Sequence, residues 1–258
     1  MIELFGKEKR VMEPLCSERE DEVTLYACVE DHMGRVWVDN GDNPACSVVL
    51  AADFYFILGK YKESEEDSII HIISEHRVYA IVLDAQEWSP FLERLQREFP
   101  ESYRSFTRYA IKGRREWFNK ESLERFVKAV EPKFRTERID ERIFHIALSG
   151  SWTRDLCSNY KSLEEFQKHG IGYVIMDGNE IISGASSYGY YQDRVEVTIE
   201  TKQEYRRKGL GLACASAMIL ECLERDIYPR WDAANRISVT VAEKLGYRFS
   251  HEYTVYHI

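Results

Sequence analysis

At 258 residues, 44% of them hydrophobic, the chain is long enough for two domains and apolar enough to fill real cores. Its net charge of −9 argues against general nucleic-acid binding and leaves local basic loops as the places where anions dock. The N-terminus, MIELFGKEKR, carries charges where a signal peptide needs an apolar core, and no uncharged run is long enough to span a membrane. A cytoplasmic protein with no membrane and no nucleic-acid partner is therefore expected. The cysteines Cys16, Cys28, Cys46, Cys157, Cys214 and Cys222 form no CxxC pair and no metal spacing with the histidines, which predicts reduced, structural thiols and no metal.

In chain order, Val23 to Val29 and Arg35 to Val38 have strand-like patterns. The turn signal Asn40-Gly41-Asp42-Asn43-Pro44 precedes a further strand-like stretch from Ser47 to Leu58. Glu63 to Asp67 is an acidic run that reads as a solvated loop. Val78 to Leu83 is an apolar run of strand length, and Ser89-Pro90 reads as cap and first residue of a helix carrying Phe91, Leu92 and Leu95. Tyr103 to Phe118 interleaves aromatic and basic residues, which suits either RNA or a nucleotide, or else a surface or interdomain face; the acidic whole favours the latter. An amphipathic helix follows from Asn119 to Val130. The charged stretch Glu131 to Asp140 reads as a link, giving domains near 1–136 and 137–258.

In the second half, Ser162-Leu163-Glu164-Glu165 is a capping box for a short helix ending at Gly170. Gly172 to Met176 and Glu180 to Tyr188 flank the hairpin signal Asp177-Gly178-Asn179. The chain then reads VEVTIETKQEYRRKGLGL from Val195 to Leu212. Val195, Val197 and Ile199 alternate with Glu196, Thr198 and Glu200, which predicts a strand with the two glutamates on one face. A basic loop, Arg206-Arg207-Lys208, leads through Gly209-Leu210-Gly211 into a helical pattern of Leu212, Ala213, Ala215, Met218, Ile219, Leu220 and Leu223. A helix start of this kind leaves its first amides without intrahelical partners, and it attracts anions. Two glycines and three cations make a diphosphate a better fit than a single carboxylate. A dinucleotide fingerprint is excluded, because Cys214 occupies the third glycine position.

Arg206-x-x-Gly209-x-Gly211 after a strand resembles the first signature of the GNAT superfamily of N-acetyltransferases. Trp231-Asp232-Ala233-Ala234-Asn235, Ser238 and Ala242-Glu243-Lys244-Leu245-Gly246-Tyr247 resemble its second, in the right order. The wording is most similar to the branch that includes the zwittermicin A resistance acetyltransferase. The resemblance implies an α/β (α+β) protein whose C-terminal GNAT fold has a mixed, mostly antiparallel sheet flanked by helices. The α/β domain before it is either a degenerate GNAT-like half or a domain of another kind, and no repeat in the sequence decides between them.

The activity implied is transfer of an acetyl group from acetyl-CoA to a primary amine, with a small molecule favoured as acceptor. A protein or peptide acceptor, and a non-catalytic acyl-CoA binder, are the alternatives. By resemblance, Arg206, Arg207, Lys208, Gly209, Leu210, Gly211 and Leu212 hold the diphosphate. Asn235 and Ser238 meet the pantetheine arm, and Ile199 and Thr201 offer it backbone groups. Glu196 and Glu200 are the candidate bases, in a cleft that Asp232 and either Tyr188 or Tyr190 are also expected to line. Ala242 stands where the family's acid tyrosine is usual, so Ser238 is the remaining candidate at that step. Ordinary helix capping is the plain alternative for Asn235 and Ser238. The oligomeric state is open, a homodimer among the options.

Overall fold

The computed structural model describes residues 1–76 and 78–258, which divide into two compact units, 1–108 with 252–258 and 109–251. In the first unit the elements are β1 (Ile2–Leu4), α1 (Val23–Val29), β2 (Arg35–Val38), β3 (Cys46–Ala51), β4 (Phe54–Gly59), α2 (Glu66–Glu75), β5 (Ala80–Val82) and α3 (Ser89–Glu98). Strands β1 to β4 pair antiparallel in chain order, and β5 joins β4 in parallel after the crossover helix α2. Alternation splits the strand residues between two cores. Val49 and Phe56 pack with Leu25 and Cys28 of α1, while Val48 and Ile57 pack with Ile69 and Ile73 of α2 and with Phe91 of α3.

Val23–Val29 is a helix, where its β-branched residues predict a strand. Six of its seven residues are buried, so packing on several sides overrides propensity. Helix α3 begins at the expected place with Pro90 in its first turn. Its cap residue is Trp88, however, and Ser89 instead donates its hydroxyl to the Gln86 carbonyl.

Strand β6 (Arg104–Lys112) runs from the first unit into the second, followed by α4 (Lys120–Lys128), β7 (Arg135–Arg138), α5 (Glu141–Ser149) and α6 (Leu163–His169). Next come β8 (Gly172–Asp177), β9 (Glu180–Tyr191), β10 (Arg194–Thr201), α7 (Leu210–Glu224), β11 (Tyr228–Arg230), β12 (Asp232–Ala233), α8 (Arg236–Leu245) and β13 (Arg248–His257). The charged stretch read as a link contains β7, which pairs with β8. Ile111, Phe118, Leu123 and Phe134 share one core with Leu210 and Met218, so residues 109–136 belong to the compact second unit.

The two units repeat one arrangement. In the second, β7 to β10 pair antiparallel in chain order and β11 joins β10 in parallel after the crossover helix α7. This is the mixed, mostly antiparallel sheet expected, and it occurs twice. Val174 faces α5 and α6, while Ile175 faces α7. Helix α7 is apolar nearly all round because the sheet covers one side and α4 and α8 approach the others. Among the described residues no helix is long and apolar enough to cross a membrane.

Candidate functional site

Strand β10 ends at Thr201 and a 3-10 turn, Gln203–Tyr205, leads to the start of α7. Arg207 and Gly209 both have left-handed backbones, with φ of 64° and 76°. For arginine that conformation costs on the order of 1–3 kcal/mol, a strain that concentrates where a turn has work beyond connection. The first i to i−4 bond of the helix is Ala213 N to Gly209 O at 3.0 Å, so the Leu210, Gly211 and Leu212 amides precede the intrahelical ladder. Arg206, Arg207, Lys208 and Gly209 are exposed beside them. Arg206 Nε donates back to the Thr201 carbonyl at 3.1 Å, and Lys208 stacks over Tyr205, whose hydroxyl donates to Asp177 at 2.9 Å. The turn is thus braced from below and cationic above.

The two glycines do different things. A Cβ on Gly209 would meet nothing within 4 Å, which leaves open space for an anion over the turn. A Cβ on Gly211 would lie 3.0 Å from Ile199 Cδ1, so Gly211 lets α7 pack closely on β10.

Beside this turn the sheet forks. The parallel ladder of β10 with β11 covers Arg194↔Tyr228, Val195↔Pro229 and Glu196↔Arg230 and then ends. After Arg230 the chain turns to β6, with Asp232 opposite Ala110 and Ala233 opposite Tyr109. On the other side of β10 the pairing with β9 shifts between Glu196 and Val197, a bulge at Tyr188. Residues 197–201, which include Ile199 and Thr201, therefore have no β11 partner on that edge.

The two candidate bases are placed unlike each other. Glu196 is buried, with Oε2 2.8 Å from Arg230 Nη1. Glu200 is exposed at the strand end, yet its carboxyl pKa is raised from its ordinary value. Burial of the carboxyl is the main cause; Arg206 opposes it and Asp155 reinforces it. Arg230 was not singled out from the sequence, because a parallel register cannot be read across a crossover helix.

Asn235 caps α8, its Oδ1 accepting from Ser238 N at 3.0 Å, and Ser238 Oγ accepts from Trp231 Nε1 at 3.1 Å. Both residues make the contacts of the plain capping alternative. Ala242 is fully buried in the core under α8. Asp232 lies in β12, half-buried, and Tyr188 sits at the bulge. Tyr190 donates to Glu165 at 3.0 Å and stacks on His169, which ties it to α6. Cys214 is wholly buried and its thiol is pushed up to about 12 by desolvation, which suits a packed residue and not a nucleophile. Among the described residues no group of three or more His, Cys, Asp or Glu could hold a metal ion.

The corresponding turn of the first unit, between β4 and α2, has the opposite character. Glu63, Glu65, Glu66 and Asp67 crowd its helix start. Arg94 binds Glu66 at 2.8 Å and also Asp67, Tyr61 donates to Glu66 at 2.9 Å, and Lys62 pairs with Asp39. Such a start repels anions.

A repeated mixed sheet, forked beside a cationic helix start in one of its two copies, defines an α/β protein. The GNAT acetyltransferase family is matched over residues 13–256, and the chain belongs to that family. It is similar to a GCN5-related N-acetyltransferase-like protein from Streptococcus suis, with 32% identity and a TM-score of 0.85 over 98% of this chain and 99% of that one. It is 35% identical over 124 residues to the uncharacterized N-acetyltransferase YdfB of Bacillus subtilis, a match that spans 47% of each chain, about half the length of that curated relative. A tandem GNAT protein from the clavulanic acid biosynthesis pathway has a TM-score of 0.55 at 11% identity, over 98% of this chain and 94% of that one, a likeness of fold alone.

Proposed function

We propose that the protein is an acetyl-CoA-dependent N-acetyltransferase that moves an acetyl group to a primary amine by direct attack on the thioester. The observation that carries this reading is the open edge of residues 197–201 running into the cationic start of α7. Arg206, Arg207, Lys208 and the amides of Leu210, Gly211 and Leu212 would hold the diphosphate, with hydrogen bonds to charged groups worth roughly 1.5–3 kcal/mol each. The backbone of Ile199 and Thr201 would meet the pantetheine arm as a neighbouring strand would. The amine must be neutral to attack, so a base takes its proton as the new C–N bond forms and the C–S bond breaks. Glu200 fits that task better than Glu196, since the residue is exposed, desolvation raises its pKa, and Glu196 is instead paired with Arg230. Ala242 leaves no side-chain acid at the position in α8 where the family's tyrosine is usual. The thiolate then leaves without direct protonation from that helix, or Ser238 assists.

A small-molecule acceptor is favoured by the resemblance of the Trp231 to Ser238 wording to the zwittermicin A resistance branch. Release of free thiol from acetyl-CoA in the presence of a panel of small primary amines tests the reading. Acetyl-CoA binding without release for any amine or lysine peptide would leave the non-catalytic binder standing instead.

A further inference from the structure

We infer that Glu196 and Arg230 form a clasp that sets the width of the fork between β10 and β11, which makes Glu196 a positioning residue and not the base. The inference rests on the acetyl-CoA reading above. Glu196↔Arg230 is the last register pair of the ladder, and the two side chains, 9% and 12% exposed, meet at 2.8 Å across it. Everything diverges at that rung. The β9 pairing shifts between Glu196 and Val197, β11 ends at Arg230, and the chain is paired with β6 from Asp232 onward.

A parallel ladder three residues long has few, slanted bonds and frays easily. A charge-assisted bond shielded from water at its end opposes that fraying. Buried ion pairs add little net stability compared with apolar residues of similar volume, and the best-attested reason to keep one is registry. A fork whose apex is fixed in this way receives the thioester end of the pantetheine arm in one place. A base, by contrast, must offer its lone pair to the amine, and the Glu196 oxygen here faces a guanidinium.

The test compares two ligands, acetyl-CoA and 3′-phospho-ADP, which keeps the diphosphate and lacks the arm, by calorimetric titration of the full chain. The double variant Glu196→Leu/Arg230→Leu removes both charges of the pair together and should melt close to the wild type. Its affinity for acetyl-CoA should fall by about tenfold, while that for 3′-phospho-ADP changes by less than about twofold. Glu196→Gln, which keeps the shape, should show a smaller loss in the same direction. A merely structural defect would weaken both ligands alike; equal losses, or no loss for either, overturn the clasp. Failure of the wild type to bind acetyl-CoA sinks the acetyl-CoA reading itself, and is seen before any variant is made.

Discussion

Gly211 lies so close to Ile199 that a Cβ built on it would stand 3.0 Å from Ile199 Cδ1 and 3.1 Å from Thr201 Oγ1. The start of α7 is therefore pressed onto the end of β10, and the cationic turn lies beside the open strand edge. Gly211→Val should overpack this contact at a cost of about 1–3 kcal/mol. It should lower the melting temperature and the acetyl-CoA affinity together. Gly209→Ala has open space above it and only the left-handed backbone to strain, at roughly 1–2 kcal/mol. Its added methyl points where the diphosphate is proposed to sit, so ligand affinity should drop further than stability does, as thermal melts with and without acetyl-CoA will measure.

Glu200→Gln should lower turnover by about 10²–10⁴-fold, the usual contribution of a positioned base, while acetyl-CoA binding stays near wild type. Because the Glu200 pKa is raised, the wild-type rate should fall as pH drops through that raised pKa, and the variant should lose that acid limb. The linkage runs the same way. A raised folded pKa favours the protonated fold, a contribution present below the unfolded pKa and lost as pH rises through the folded one. Removing the charge should therefore leave Glu200→Gln at least as stable as wild type at neutral pH. A rate and pH profile equal to wild type would remove Glu200 as the base.

Glu221 ties three elements of the second unit together. It binds Arg138 of β7 through two bonds of 2.9 Å, Tyr173 of β8 at 2.8 Å and Arg225 at 3.2 Å. Burial pushes its carboxyl up, but Arg138, Tyr173 and Arg225 together hold it below the usual range. Its stabilising contribution is then present above the unfolded pKa and lost as pH falls through the lowered folded one. Glu221→Ala should cost about 1–3 kcal/mol at pH 7, by analogy with other part-buried groups whose partners are left unsatisfied. The gap from wild type should narrow in acid, which chemical denaturation at several pH values will follow.

The second half was the more legible because its signals are local. The Asp177-Gly178-Asn179 turn, the Gly209 helix start and the Asn235 cap each announce themselves within a few residues, and the elements fall where they predict. Val23–Val29 misled because its helix depends on burial by distant segments. The contacts of Gly211 and Glu196 were obscured for a similar reason, since Ile199 and Arg230 reach them only through the folded register. A degenerate GNAT-like half was one of the two readings open for the first unit, but no repeat in the sequence decided for it, because a sheet order can persist while every side chain that shows it changes.

Calorimetric titration of acetyl-CoA, with NAD as comparison, into the wild type and an Arg206→Ala/Arg207→Ala/Lys208→Ala variant tests the account most directly. The acidic, internally paired turn of the first unit and the cationic turn of the second predict one acetyl-CoA per chain, little affinity for NAD, and loss of binding in the variant. No binding by the wild type, or binding that the variant leaves intact, would contradict it.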